Sequence, residues 1–242
     1  MRKAIIVGAS SGIGREVALL LLADGWHCTL SARRQDALEE LRRLYPSQVG
    51  VMPADVTAAD APVRLQQTLE QMGGVDLYFH ASGVGRQNSQ LLPDVEEQTL
   101  QTNALGFMRM VGVAFRFMAA HGGGQIAVIS SIAGTRGLGA APSYSATKAF
   151  CNAYIESLEQ LSHMRGLNIS FTDIRPGFVR TALLDDGRNY PLMMRPERVA
   201  RHIVRAVGRR RSVAVIDWRY RVLVFFWRLI PRWLWVRLPV RN

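Results

Sequence analysis

Two cysteines, Cys28 and Cys151, are all that this 242-residue chain contains. They lie far apart, without the short spacing of a metal site or a redox pair. No disulfide framework is therefore expected, and the composition suits a reducing, cytoplasmic compartment. Long hydrophobic runs are missing as well. Met1-Arg2-Lys3 followed by Ala4-Ile5-Ile6-Val7-Gly8 imitates the basic and apolar regions of a signal peptide. The run is too short for one and ends in a glycine turn, so it reads as a buried first strand. Acidic residues are absent from positions 218 to 242, which carry six Arg and the four residues Trp218, Trp227, Trp233 and Trp235.

That last absence locates the net charge of +11. From Arg195 to Asn242 there are 13 Arg against Glu197 and Asp217, whereas the first 194 residues carry 17 basic and 17 acidic groups and balance. The excess is a property of the C-terminal end and points to an anionic partner surface for that end only. No nucleic-acid recognition module accompanies it, so nucleic acid is not expected as a partner. What is present is a chain that is 48% hydrophobic and long enough for one sizeable α/β core.

Residues 3 to 7 form a short apolar run, and Gly8-Ala9-Ser10-Ser11-Gly12-Ile13-Gly14 leads from it into the helical pattern Val17, Leu20, Leu21, Ala23. A strand, a glycine turn and a helix N-terminus place backbone N–H groups and the positive end of the helix dipole at one point, suited to a dinucleotide pyrophosphate. A plain tight turn is the other reading. A second strand at 27 to 31 ends in Ala32-Arg33-Arg34, where an acidic residue would bind a ribose 2′-hydroxyl and a basic one a 2′-phosphate. Ala32, Arg33 and Arg34 favour NADP over NAD, unless the arginines are only solvated charges opening the next helix.

The alternation continues with a strand at 49 to 52 ending before Asp55-Val56, placed to touch adenine, and a helix at 59 to 71. A strand at 75 to 79 then ends in His80-Ala81-Ser82-Gly83, and a long helix is expected from 93 to 121. Asn103 in its middle is a poor helix-interior residue; it either bonds local backbone or distorts the helix to hold a water. A fifth strand, 126 to 129, delivers Ser130 and Ser131 at its C-terminal end, the side on which open parallel sheets bind ligands. Thirteen residues after Ser131 comes Tyr144, and Lys148 follows one helical turn later. At i and i+4 a cation can lie near a phenol and favour proton exchange, although many such pairs are merely a solvated face. A sixth strand ends in Pro176-Gly177-Phe178-Val179-Arg180-Thr181, a turn placed for a cofactor contact.

Taken together, the glycine turn 8 to 14, Asp55, Asn103, Ser131, Tyr144, Lys148 and the 176 to 181 loop resemble the short-chain dehydrogenases/reductases over residues 3 to 217. The resemblance implies a doubly wound, Rossmann-like α/β fold with a parallel sheet of about seven strands and helices on both faces. It also implies NAD(P) binding and carbonyl/alcohol oxidoreduction. Carried over, it makes Tyr144 the acid/base, Lys148 the charge that favours the phenolate and a ribose ligand, Ser131 the binder of the carbonyl oxygen, and Asn103 the anchor of a relay water. It adds Ser10, Ser11, Gly12, Ile13, Ala81, Ser82, Gly83, Pro176, Gly177, Val179 and Thr181 to the cofactor's surroundings, and a homodimer or tetramer. His80-Ala81-Ser82-Gly83 replaces the family's Asn-Asn-Ala-Gly, and Val7 its Thr, both local bracing positions.

Residues 182 to 195, rich in Leu and Met, are expected to cover an apolar or lipid-like substrate, or else to form a plain surface loop. Residues 1 to 217 are expected to form the oxidoreductase domain and 218 to 242 a basic, aromatic extension. That extension either lies on an anionic membrane, restarting at Pro231, or packs on protein. The competing function is a non-catalytic NADP sensor docked through its basic end, which would have no physical need for Ser131, Tyr144 and Lys148.

Overall fold

The computed structural model describes residues 1–184, 187 and 190–240. Seven parallel strands form one sheet in the order β3-β2-β1-β4-β5-β6-β7. They are β1 (Lys3–Val7), β2 (His27–Ala32), β3 (Val49–Pro53), β4 (Leu77–His80), β5 (Gly124–Ile129), β6 (Ile169–Arg175) and β7 (Val213–Val215). Alternate residues of β1 divide between two cores, as the two-residue period of a strand requires. Ala4 and Ile6 join one with Val17 and Leu21, whereas Ile5 and Val7 join the other with Leu65 and Met110.

The helices between strands cover both faces. On one lie α1 (Gly12–Ala23), α2 (Gln35–Leu44) and later α7 (Pro196–Gly208); on the other lie α3 (Ala61–Met72), α4 (Pro93–Leu100), α5 (Phe107–Ala120) and α6 (Pro142–Met164). Each presents apolar residues at three- and four-residue intervals, such as Leu38 and Leu41 or Leu65 and Leu69, all fully buried. Side chains of this size contribute about 1.5–3 kcal/mol each on burial. Strand order reverses at β1, with β2 on one side and β4 on the other. The loops after β1 and β4 therefore part there and leave the crevice in which such sheets bind ligands.

One element differs from expectation. The helix expected over 93 to 121 is interrupted: between α4 and α5 residues Gln101–Gly106 form a π-helical turn containing Asn103. The C-terminal segment forms α8 (Trp218–Leu229) and, beyond Pro231, the single turn α9 (Arg232–Trp235). Tyr220 and Val224 of α8 join the core of the α1 face. No helix among the described residues is long and apolar enough to cross a membrane.

Candidate active site

At the crevice, the turn after β1 is shaped by its glycines. Gly8 has φ +90°, and a Cβ there would sit 2.6 Å from the Ser82 nitrogen; one at Gly14 would sit 2.2 Å from the Gly8 carbonyl oxygen. Only a residue without a side chain lets β1, α1 and the β4 loop close on one another here. Ser11 opens α1 without a side-chain cap, which leaves the helix's first N–H groups pointed at the crevice beside Ser10, Gly12 and Ile13. This bare, glycine-walled helix start fits a dinucleotide pyrophosphate.

Around that cradle stand the other expected contacts. Arg34 folds back to donate to the Ser10 carbonyl at 3.3 Å and hydroxyl at 3.2 Å, while Arg33 is exposed at the end of β2. Asp55 accepts from the Thr57 amide at 2.9 Å and hydroxyl at 2.8 Å through one oxygen, leaving the second for a ligand. Val56 is buried under the π turn, where a Cβ on Gly106 would meet its carbonyl at 2.8 Å. Thr181 reaches the phosphate turn, its methyl 3.0 Å from a Cβ built on Gly12. The 176 to 181 loop thus runs from Ser131, whose hydroxyl lies 3.4 Å from the Pro176 carbonyl, to the start of α1.

The residues expected to carry chemistry meet at the strand ends. Tyr144 is half-buried in the first turn of α6, and Lys148 is buried below it with Nζ 5.8 Å from the Tyr144 ring centroid. Nζ donates to the carbonyl of Ile129, two residues before Ser131, at 3.0 Å. A Cβ built on Gly83 would be 3.3 Å from Asn103 Oδ1 and 3.7 Å from Lys148 Nζ, so the β4 loop, the π turn and α6 converge on one point. Ser131 Oγ accepts from the Ala133 amide at 3.1 Å and so opens the next turn as well as facing the loop.

Asn103 is clamped: the Val84 amide donates to its Oδ1 at 2.8 Å, and its Nδ2 donates to the Val84 carbonyl at 2.7 Å. Its own carbonyl accepts from the Cys151 thiol at 3.3 Å. Burial pushes that thiol's pKa up and keeps it protonated as a donor. His80 is a packed residue: Tyr78 shares a hydrogen bond with its Nδ1 at 2.8 Å, and its ring meets Phe107 edge-on. Burial, then the Lys148 charge, lower its pKa to about 3, so it stays neutral.

Three participants were not anticipated. Gly85 lies so close to the Tyr144 ring that a Cβ would come within 2.8 Å of it, a contact with no local signal in the sequence. Tyr220 presses its ring on Gly177 and bonds the Phe178 amide at 3.0 Å. The segment after Ser131 is held by the C-terminal helices: Trp227 Nε1 donates to Thr135 Oγ1, Trp235 Nε1 to the Gly137 carbonyl, and Arg136 to the Arg228 carbonyl. The expectation for 182 to 195 falls partly on Asp185, Asp186, Arg188 and Asn189, which lie outside the described residues. Within that stretch, Tyr190 and Met194 are buried and Val179 pairs with Met194.

A doubly wound parallel sheet with a glycine-walled helix start, and a Tyr–Lys pair whose lysine reaches the end of β5, suits a nicotinamide-dinucleotide oxidoreductase. Comparison with known proteins agrees. Residues 2–190 match the family described as "short chain dehydrogenase", and the chain belongs to that family. An "Uncharacterized oxidoreductase" of Myxococcus xanthus is 36% identical over 197 residues, covering 79% of this chain and 77% of that one. Another, of Mycobacterium tuberculosis, is 27% identical over 248 residues, covering 98% and 94%. Among solved structures, a short-chain dehydrogenase from Streptomyces avermitilis superposes with a TM-score of 0.82 at 23% identity, covering 93% of this chain and 92% of that one. A short-chain dehydrogenase from Burkholderia cenocepacia in complex with NADP does so with 0.85 at 16% identity over the whole of both chains. The protein is an NAD(P)-dependent oxidoreductase of the short-chain type.

Proposed function

We propose that the chain reduces an apolar ketone or aldehyde with NADPH, as a homo-oligomer working at the cytoplasmic face of an anionic membrane. The convergence of Lys148, Asn103 and the glycine loop beneath Tyr144 carries the catalytic part of this reading. Bound in the crevice, the nicotinamide supplies the hydride. Ser131 donates a hydrogen bond to the substrate carbonyl oxygen as negative charge grows on it, and Tyr144 delivers the proton to that oxygen. Lys148 lies below the phenol with Nζ 5.8 Å from the ring centroid, on the side of the site where the proton departs. Asn103 fixes the 83 to 85 loop against Tyr144, and its carbonyl retains a lone pair for a relay water.

For NADP over NAD, support comes from Ala32 in place of an acid, with Arg34 bonded to Ser10 and Arg33 exposed at the end of β2. An apolar substrate is supported by a cleft of about 740 Å³ between residues 87–89, residues 137–140 and the C-terminal segment, on the approach to α6, lined by Gln87, Ser89, Gly139, Trp235, Leu238 and Val240. For the membrane, support comes from the outward face of residues 218 to 240. Trp218, Phe225, Phe226, Leu229 and Trp233 are each more than 60% exposed there, among Arg221, Arg228, Arg232 and Arg237. Exposed Leu100, Met108 and Phe150 on α4, α5 and α6 support self-association. Residues 1 to 217 are the catalytic body and 218 to 242 its extension.

The test is NADPH consumption with 2-alkanones of increasing chain length, wild type against Tyr144→Phe. A fall of about 10²–10⁴ in turnover with NADPH still bound is expected. NADPH bound by both proteins with no ketone turned over by either would leave the sensor reading standing instead, and equal substantial turnover would remove Tyr144 as the proton donor.

A further inference from the structure

Tyr220 lies outside the segment that matches the family, yet it touches the cofactor loop at its most restricted point. A Cβ on Gly177 would come within 2.1–2.4 Å of three Tyr220 ring atoms, so the ring lies flat on the glycine with no space between them. The hydroxyl accepts from the Phe178 amide at 3.0 Å and donates toward the Pro191 and Leu192 carbonyls, at 3.0 and 3.1 Å. Only 1% of the residue is exposed. Burial raises its pKa, which keeps the hydroxyl a donor.

The helix carrying it cannot drift. Asp217, at φ +74°, caps α8 by accepting from the Arg219 amide at 2.9 Å and pairs with the Arg219 guanidinium at 2.8 Å. Farther along, Trp227 and Trp235 tie the C-terminal segment to residues 135 to 137. The loop that Tyr220 grips is held at other points too: Val179 pairs with Met194, whose amide donates to the Phe178 carbonyl and whose carbonyl accepts from the Arg180 amide, both at 2.9 Å; the Pro176 carbonyl accepts from the Ile132 amide at 3.1 Å, and Thr181 leans on Gly12. Tyr220 joins the two sides of that bridge, since its hydroxyl bonds Phe178 on one and Pro191 and Leu192 on the other.

We infer that Tyr220 is a positioning residue, which sets the 176 to 181 loop against the half of the dinucleotide between the phosphate turn and Ser131. The adenosine half, at Arg33, Arg34 and Asp55, is out of its reach. Through the Pro176 carbonyl the same contact sets the Ser131 hydroxyl. The inference rests on the reading that this crevice holds a nicotinamide dinucleotide, and on nothing about the substrate.

Its experiment is a fluorescence and calorimetric titration of the full chain and of Tyr220→Phe with NADPH and with 2′,5′-ADP, and in parallel with NADH and AMP. Tyr220→Phe keeps the ring on Gly177 and removes all three hydroxyl contacts, to the Phe178 amide and to the Pro191 and Leu192 carbonyls. The dissociation constant of the whole dinucleotide should rise about tenfold, while that of the adenosine fragment stays within twofold. Gly177→Ala, which forces the ring away, should show the same split. If whole and fragment weaken together, or neither weakens, Tyr220 is only part of the core and the inference is overturned. A wild-type chain that binds fragments and dinucleotides not at all would sink the cofactor reading itself.

Discussion

Asn103 pairs with the backbone of Val84 as a strand would, accepting from its amide at 2.8 Å and donating to its carbonyl at 2.7 Å. One side chain thereby replaces two ladder bonds for a loop with no strand beside it. The π turn is what makes this possible, because the wider i→i+5 winding swings Asn103 off the helix face it would otherwise occupy.

Asn103→Ala leaves both Val84 groups without a partner at a part-buried site. A buried polar group left unpaired costs about 1–3 kcal/mol. We expect a loss of about 2 kcal/mol in urea unfolding, and amide exchange at Val84 and Gly85 quickened ahead of the sheet. Gly85 supports the Tyr144 ring, so kcat/KM should fall at least tenfold with KM for cofactor little changed. Unaltered exchange at Val84 would mean the loop is held by something else.

His80 makes stability depend on pH. Its pKa is about 3 in the folded protein against about 6.5 for an ordinary imidazole, so between those values the unfolded chain binds the extra proton. Stability therefore rises with pH through that window and levels off above about pH 6.5. Lowering the pH from 7.5 to 5 should remove roughly 2 kcal/mol through this group alone. His80→Asn should flatten the curve by that amount in urea melts, and an identical slope in the variant would assign the proton elsewhere.

Much of this was legible from local pattern. Buried strands announce themselves as apolar runs, so order and spacing revealed the sheet, whereas Ser131, Tyr144 and Lys148 stood out only jointly, through their resemblance to the family's motif order. Contacts between segments distant in sequence were not legible. Nothing near Gly177 indicates that it must be glycine because a ring from residue 220 lies on it. Nor does Trp227 announce a bond to Thr135, 92 positions away. The choice between membrane and protein for the C-terminal segment also could not be made from sequence, because a helix has two sides. Its inner side, Tyr220, Val224 and Trp235, packs on protein, and its outer side remains exposed.

Arg33 and Arg34 divide the recognition of a 2′-phosphate. Arg34 is already drawn to Ser10, whose hydroxyl oxygen accepts from it at 3.2 Å, whereas Arg33 stands in solvent and would be ordered by the ligand. Either arginine changed to Ala should weaken NADPH more than tenfold and NADH less than threefold, with Arg34 the larger because its guanidinium is already placed. Equal losses for the two cofactors, by titration, would remove the case for NADP.

Membrane attachment through residues 218 to 240 cannot be tested by cutting the chain after Asp217, since that removes Tyr220, Trp227 and Trp235 from the catalytic loops. Point changes on the outer face avoid the difficulty. Phe225 and Phe226 are each 61% exposed and pack edge to face on one another rather than into the core. In a bilayer interface their burial would contribute about 1.5–3 kcal/mol apiece, with the arginines adding attraction to anionic headgroups. A self-complementary contact through this face would instead oppose Arg221, Arg228 and Arg232 to their own copies. The full chain should therefore sediment with phosphatidylserine-containing vesicles and far less with phosphatidylcholine alone. Binding should weaken between 0.1 and 1 M salt as the screening length falls from about 10 Å to 3 Å. The Phe225→Ser, Phe226→Ser double variant should bind at least tenfold more weakly while holding NADPH as before. If vesicle binding is unchanged by it, or if it turns a dimer into a monomer, the outer face belongs to protein association.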